Sequence, residues 1–279
     1  MDPLARPEHT SPTLALFRRH FCLADHLSDW DLLEEVATAF STIPYENLTK
    51  IIRNEEIGGQ RAKRVPADVI GEHVEFGGGG TCFSLTAAML HILRALGWRA
   101  EPILADRHYG MDTHCALVVW IDERPHLLDP GYLIVRPIPL GTSQETHVAT
   151  SFNDVILRPT ERGERYELYT SQQGSVSHRL TFKVAPTDPG TFLRAWDASF
   201  DWDMMRYPVL TRAYRDEHIY LQGQRIQRRG REHVVRDEID LEQMPQQIAQ
   251  EFGVDVRVVR RALEILQRKG ELHGDTHAR

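Results

Sequence analysis

The chain of 279 residues has few cysteines, no long apolar run and no excess of basic charge. Its three cysteines, Cys22, Cys82 and Cys115, are an odd and sparse set. Such a count excludes a disulfide framework and fits a reducing compartment. No stretch approaches the ~20 consecutive apolar residues of a membrane-crossing helix. Residues 1–7 lack the apolar centre of a secretory signal, so a soluble, cytoplasmic protein is expected. The net charge of −7 lacks the basic footprint of a nucleic-acid binder. Neither nucleic acid nor membrane is therefore expected as a partner. The 14 histidines include no His-Glu-x-x-His pair, and there is no Cys-x-x-Cys unit, so no metal site is expected. Neither an internal repeat nor a low-complexity segment occurs.

What is present is an ordinary globular composition, 41% hydrophobic and 26% charged, with length enough for a substantial core. Helical patterns come first. Leu14, Leu16, Phe17 and Phe21 share one face. Leu32, Leu33, Val36 and Phe40 share another, with Ser28 as its expected N-cap and Asp31 three residues on. Pro44 then biases Ile43 towards an extended conformation. Ile57-Gly58-Gly59 marks a turn, and Arg61, Lys63 and Arg64 a basic loop. Residues 66–76 read as a short helix. After Gly97 the pattern changes to strands: 98–104, 113–121, 126–129, 155–157, 165–170 and 177–184. Residues 106–112 read as a polar loop between the first two. A helix over 191–200 follows, then strands at 216–221, 223–228 and 232–235, then closing helices at 246–252 and 256–269. Helices, strands and again helices in blocks predict α+β rather than alternating α/β.

One stretch invites chemistry. Gly77-Gly78-Gly79-Gly80-Thr81-Cys82-Phe83 runs into a helical pattern of Leu85, Ala88, Met89, Ile92 and Leu96, closed by Gly97. No Gly-Lys-Ser/Thr follows the glycines, so this is no phosphate loop. Cys82 falls at the first helical turn. There the helix dipole and unpaired N–H groups favour thiolate, the nucleophilic form. The glycines clear side chains from around the sulfur.

A cysteine acyl-transfer site needs a base beside the thiol and a third group to orient that base. His114 opens the most apolar strand and Asp129 closes the next. If the two strands form a hairpin with an even-length loop, Asp129 lies opposite position 114, 116 or 118. All three positions share one strand face, so His114 and Asp129 point the same way. His108, in a loop, and His126, three residues before Asp129, are the competing bases. His126 has odd separation from Asp129 and faces the other side. Cys115 is expected to face the core, opposite to His114.

These pieces together carry a resemblance. Ile43-Pro44-Tyr45-Glu46-Asn47-Leu48, Gly79-Gly80-Thr81-Cys82-Phe83, Thr113-His114 and Leu127-Leu128-Asp129 resemble the arylamine N-acetyltransferase family. That family carries Phe/Tyr-Glu-Asn-Leu, then Arg-Gly-Gly-x-Cys-Tyr/Phe-Glu, then a His opening a strand and an Asp ending the next. The resemblance implies a helical bundle carrying the nucleophile (1–97), an antiparallel β-barrel-like part with His and Asp (98–190) and an α/β lid (191–279). It also implies transfer of an acetyl or other acyl group from an acyl-CoA to a small-molecule amine through a Cys82 thioester. His114 acts as base, Asp129 orients it, and no cofactor is held. Phe83 and Tyr109 are the candidate substrate contacts. Three positions depart from the pattern. The Arg before Gly-Gly is Gly78 and the Glu after Cys-Phe is Ser84. Asp129 is followed by Pro130-Gly131-Tyr132-Leu133 where the family has Val-Gly-Phe-Gly. The Asp-Pro ending also resembles the wider transglutaminase-like Cys-His-Asp superfamily. A related amide synthase or thiol hydrolase not using acetyl-CoA, or an inactive member, therefore remain alternatives.

Two further stretches stand out. Residues 246–271 have the outline of a helix-turn-helix with Arg257, Arg260 and Arg261, against a packed amphipathic helix with a solvated basic face. Arg225, Arg228, Arg229 and Arg231 form a basic cluster, either a solvated hairpin tip or a place for the phosphates of CoA.

Overall fold

The computed structural model describes residues 2–272 except 9, 25–28, 59–61, 133, 161–162 and 215. Ser28, Gly59, Arg61 and Leu133 lie outside the described residues. Five helices lead: α1 (Pro12–Phe21), α2 (Asp29–Thr42), α3 (Leu48–Glu56), α4 (Pro66–Phe76) and α5 (Cys82–Ala95). Ser11 caps α1 by accepting from the Leu14 N–H. The helix over 66–76 is as expected, whereas α3 is an addition to the expected elements. Leu48 and Ile51 of α3 are buried, but its remaining positions are mostly polar and too few to show a period.

Two antiparallel sheets follow. The larger takes the order β5-β4-β3-β2-β9-β8-β7-β6. Its strands are β2 (Ala100–Arg107), β3 (Gly110–Ile121), β4 (Arg124–Asp129), β5 (Ile134–Pro139), β6 (Thr146–Ala149), β7 (Asp154–Pro159), β8 (Arg165–Gln172) and β9 (Ser175–Lys183). Ile103, Ala116, Val118, Leu127, Leu157, Leu168 and Phe182 from six of these strands meet in one core, so the sheet curls into a barrel-like form. The expected loop 106–112 is instead strand up to Arg107 and from Gly110, with His108-Tyr109 between. Asp106 and Asp112 are polar, yet Lys183 of β9 pairs with both, at 2.8 and 2.6 Å.

The smaller sheet has the order β1-β10-β11-β12-β13: Tyr45–Glu46, Val209–Tyr214, Glu217–Gln222, Arg225–Arg229 and Val234–Glu238. Its core, with Leu210, Leu221 and Ile226, is shared with α3, α7 (Met244–Phe252) and α8 (Val256–Lys269). α6 (Pro189–Ala198) connects the sheets and packs Phe192 and Trp196 on Phe83. The class is α+β, with eight helices among the described residues. None of these is long and apolar enough to cross a membrane.

Two packing relations position the site. α5 lies on the outer face of β2 and β3 and meets Cys115, Leu117 and Val119, while Ala116 and Val118 face the barrel interior. β1 pairs with β10 on one side, and on the other makes a parallel bridge from Tyr45 to Gly80.

Candidate active site

Cys82 is the first residue of α5, after Thr81 at the N-cap. The loop that delivers it is pinned on both sides: Glu46 N–H donates to Gly80 C=O at 3.0 Å and Gly80 N–H to Pro44 C=O at 3.2 Å. A side chain at Gly79 would meet the Pro44 carbonyl oxygen at 1.7 Å, so only glycine fits against that backbone. Glu46 is fully buried and accepts from Thr49 N–H (2.9 Å), Thr49 hydroxyl (2.5 Å) and Gly79 N–H (3.1 Å).

The charged group missing at position 78 is supplied from elsewhere. Arg64, read from sequence as part of a basic loop, is buried against this segment. Its guanidinium donates to Gly79 C=O and Glu72 and lies 3.9 Å from Glu46. A side chain at Gly80 would sit 2.6 Å from Arg64 Nη2 and 2.2 Å from Ser84 Oγ. The glycine run therefore makes room for an arginine arriving from upstream. Asn47 completes the segment by fastening the smaller sheet. It donates to the carbonyls of Met204 (2.5 Å) and Tyr207 (2.8 Å) and accepts from Val209 N–H (2.8 Å).

β3 and β4 are joined by the two-residue turn Asp122-Glu123, both with positive φ, and Leu117 pairs with Leu128. The loop is thus even. Continued by one step, this register sets Asp129 opposite position 116, on the same face as His114. His114 Nε2 and Asp129 Oδ2 are 2.7 Å apart, and both side chains are 0% exposed. The imidazole also interacts with Cys82 by hydrogen bond and charge. Gly131 closes over the contact. A side chain there would lie 2.9 Å from Cys82 Cβ and 3.2 Å from His114 Cε1.

The electrostatics favour an ion pair. Burial pulls the His114 pKa down most strongly, but the charge and hydrogen bond of Asp129, with that of Cys82, outweigh it and push it up to about 9. The Cys82 thiol is held well below its ordinary value, by a hydrogen bond with Cys115 first, then by His114 and Arg107, against its burial. Cys115 is held up by burial and by Cys82. Cys115 has a single S–H, placed between Cys82 and Thr86 Oγ1 (3.4 Å). A thiolate on Cys82 draws that proton more strongly than a neutral hydroxyl does. Cys115 thus faces a packed core opposite His114, as expected, but α5 lies on that side rather than on the His114 face, so Cys115 also reaches Cys82.

The other sequence candidates are spread out. Phe83 is fully buried among Phe192, Trp196 and Trp202. Tyr109, 57% exposed, holds its hydroxyl 2.8 Å from Arg107 Nη1. His108 is exposed beside it. His126 hydrogen-bonds to the Arg124 carbonyl and meets the edge of Trp30. Cys22 is exposed at the end of α1. Arg107, which sequence reasoning passed over, lies 3.1 Å from His114 Nδ1. Hollows of about 430 and 570 Å³ lie at Phe76–Val254 and at Arg6–Trp98, away from Cys82. No group of three or more His, Cys, Asp or Glu placed to hold a metal ion occurs among the described residues.

A family model described as N-acetyltransferase matches residues 29–261. The chain belongs to the arylamine N-acetyltransferase family. Solved arylamine N-acetyltransferases share the fold. That of Mycobacterium abscessus is 18% identical with a TM-score of 0.78, over 94% of this chain and 99% of its own. That of Salmonella typhimurium is 17% identical with a TM-score of 0.72, over 93% and 100%. The Bacillus cereus enzyme, described as having a unique Cys-His-Glu catalytic triad, is 16% identical with a TM-score of 0.71, over 88% and 100%. No curated protein matches the sequence. In this arylamine N-acetyltransferase family member the acid hydrogen-bonded to the histidine is an aspartate, Asp129.

Of the basic cluster, Arg225 pairs with Glu238 (3.8 Å), Arg228 with Asp237 (3.6 Å) and Glu251, and Arg231 with Asp154 (2.9 Å). Arg229 has no acid partner among the described residues, and its Nε is buried without a hydrogen bond. Arg179 is the extra residue of a bulge, since Leu168 pairs with Leu180 but Tyr169 with His178. Arg229 is held below its ordinary pKa by burial and then by Arg179. His218, cross-strand from Arg229, is pushed down to about 4 by burial and then by the two arginines. On α8, Arg257 pairs with Asp255 and Arg261 with Glu56, while Val259, Ala262 and Leu266 are buried. The helix-turn-helix outline is thus a helix pair packed on α3 and the smaller sheet.

Proposed function

We propose that the protein transfers an acetyl or other acyl group from an acyl-CoA to a small-molecule aromatic amine through a thioester on Cys82. The observation that carries this is the buried chain Cys82, His114, Asp129, with the thiol at a helix N-terminus. The Cys82 thiolate attacks the thioester carbonyl carbon. N–H groups of the first turn of α5 meet the oxyanion. The carbon–sulfur bond to CoA breaks, and the departing thiolate takes the proton from His114. The amine nitrogen then attacks the Cys82 thioester, gives a proton to His114 and releases the Cys82 thiolate. Asp129 keeps the Nε2 proton in place and stabilises the imidazolium each time it forms.

Arg179 and Arg229 lie within each other's electrostatic reach, with no ion pair to either among the described residues, and this supports an acyl donor that carries phosphates. Division at 1–97, 98–190 and 191–279 belongs to the same reading, with the thiol on the first part, His114, Asp129 and Arg179 on the second and Arg229 on the third. The test is incubation with radiolabelled acetyl-CoA, followed by quenching and mass spectrometry. Label on Cys82 that vanishes in Cys82→Ala is the expected result. Absence of label, with fast alkylation of Cys82 by iodoacetamide at pH 6, would move the reading to another acyl donor. A Cys82 no faster than a free thiol would overturn it.

A further inference from the structure

Cys115 takes no step in acyl transfer, yet it sits against the nucleophile. Its neighbours on the same face of β3, Leu117 and Val119, are aliphatic and pack on α5. A third aliphatic side chain would fill that row as well as a thiol does. What the position has instead is a sulfur held in place by the first turn of α5. Thr86 lies four residues after Cys82, on the same side of the helix. The Thr86 hydroxyl donates to the Cys115 carbonyl at 3.4 Å and lies 3.4 Å from Cys115 Sγ. One turn earlier, Cys82 is hydrogen-bonded to the same Cys115 thiol. Both thiols are free, and they are 2% and 0% exposed. Cys22, by contrast, lies exposed at the end of α1.

A thiolate is the form of cysteine that hydroperoxides oxidise, and the first product is a sulfenic acid. At a sulfur as covered as Cys82, a second protein cannot bring up a thiol to condense with that acid. Cys115 is already in contact. We propose that Cys82 and Cys115 form a reversible oxidation site, in which small hydroperoxides convert the pair into an internal disulfide that switches off the nucleophile and spares it further oxidation. The Cys82 sulfur attacks a peroxide oxygen, the O–O bond breaks, and the leaving hydroxide takes the His114 proton to become water. Cys82 has then lost two electrons to the peroxide. The Cys82 thiolate, which keeps the Cys115 thiol protonated, no longer exists at that stage, so Cys115 ionises more readily. The Cys115 sulfur attacks the Cys82 sulfur, the S–O bond breaks, and the Cys115 proton leaves with the hydroxyl as a second water. Two thiols and one hydrogen peroxide thus give one disulfide and two waters. A small dithiol returns the pair by thiol–disulfide exchange. Without Cys115 the sulfenic acid meets a second peroxide and becomes a sulfinic acid, which thiols do not reduce.

The test uses the full chain carrying Cys22→Ser, which removes the exposed thiol. The protein is treated with hydrogen peroxide at pH 7, free thiols are capped with iodoacetamide, and the products are read by intact mass and peptide mapping. The expected product has lost two hydrogens and yields a peptide joining Cys82 to Cys115. That link is read without any further variant. Cys115→Ser keeps a hydrogen-bond donor beside Cys82 and removes the second thiol. It is expected to gain two oxygens on Cys82 in place of the link. After dithiothreitol, the protein with Cys115 is expected to regain nearly all its alkylatable Cys82, and Cys115→Ser at most about a tenth. Sulfinic acid on Cys82 with Cys115 present and unlinked overturns the proposal. So does a recovery that Cys115→Ser leaves unchanged. None of these readouts uses an acyl donor, so they stand or fall apart from the acyl-transfer reading.

Discussion

The Arg64 guanidinium lies 3.9 Å from the Glu46 carboxylate, with both side chains buried beneath the loop that presents Cys82. Eighteen positions separate them, and neither belongs to the glycine-cysteine motif they support. Removing one member of a buried pair strands the other. Arg64→Gln is expected to cost about 3–5 kcal/mol. For a chain of this size that is a fall in Tm on the order of 10 °C. Thermal unfolding followed by circular dichroism checks it, and an unchanged Tm would show that Glu46 needs no cation.

The His114–Asp129 pair sets two pH dependences. Asp129 is the largest influence raising His114, so Asp129→Asn lets burial win and leaves the imidazole neutral at pH 7. Cys82 then loses its charged partner. Alkylation by iodoacetamide at pH 6 is expected to slow at least tenfold, and acyl transfer to fall by roughly 10³–10⁴. Stability follows the same pair. His114 binds its proton more tightly folded, at about 9, than unfolded, near 6.5. Its contribution is complete below pH ~6.5, declines as pH rises and is lost above about 9. Urea unfolding of wild type and His114→Gln at pH 6 and pH 9.5 measures this. A difference between the two proteins that grows towards pH 9.5 would contradict it.

Cys115 supplies the hydrogen bond that lowers Cys82 most. In Cys115→Ala the thiolate loses that donor. Alkylation of Cys82 is expected to slow several-fold at pH 6 and to slow less as pH rises. Cys115→Ser, which keeps a donor, is expected to lie between the two. Identical pH–rate profiles for Cys115→Ala and wild type would show that Cys115 only fills space.

The shared face of His114 and Asp129 was legible because side chains alternate along a strand whatever the loop's detailed shape. Only evenness mattered, and the Asp122-Glu123 turn is even. The start of α5 was legible from its apolar period and the glycines ahead of it. Arg64 and Arg107 were not. An arginine in a polar stretch reads as solvated, and each is drawn inside by groups remote in sequence, Glu46 and Gly79 for one and His114 for the other. β1 and β10 were missed for a related reason: Tyr45 finds Thr211 across most of the chain. β5 was hidden by Pro137 and Pro139, which its place at the edge of the sheet allows.

β1 has a consequence for how the protein is made. This two-residue strand receives β10 on one side and Gly80 on the other, and Asn47 beside it binds Met204, Tyr207 and Val209. On a ribosome adding about 5–20 residues per second, the Cys82 segment emerges many seconds before those partners exist. Until then the strand that frames the Cys82 loop has one empty side. The Cys82 loop thus acquires its full frame only once synthesis has passed residue 211.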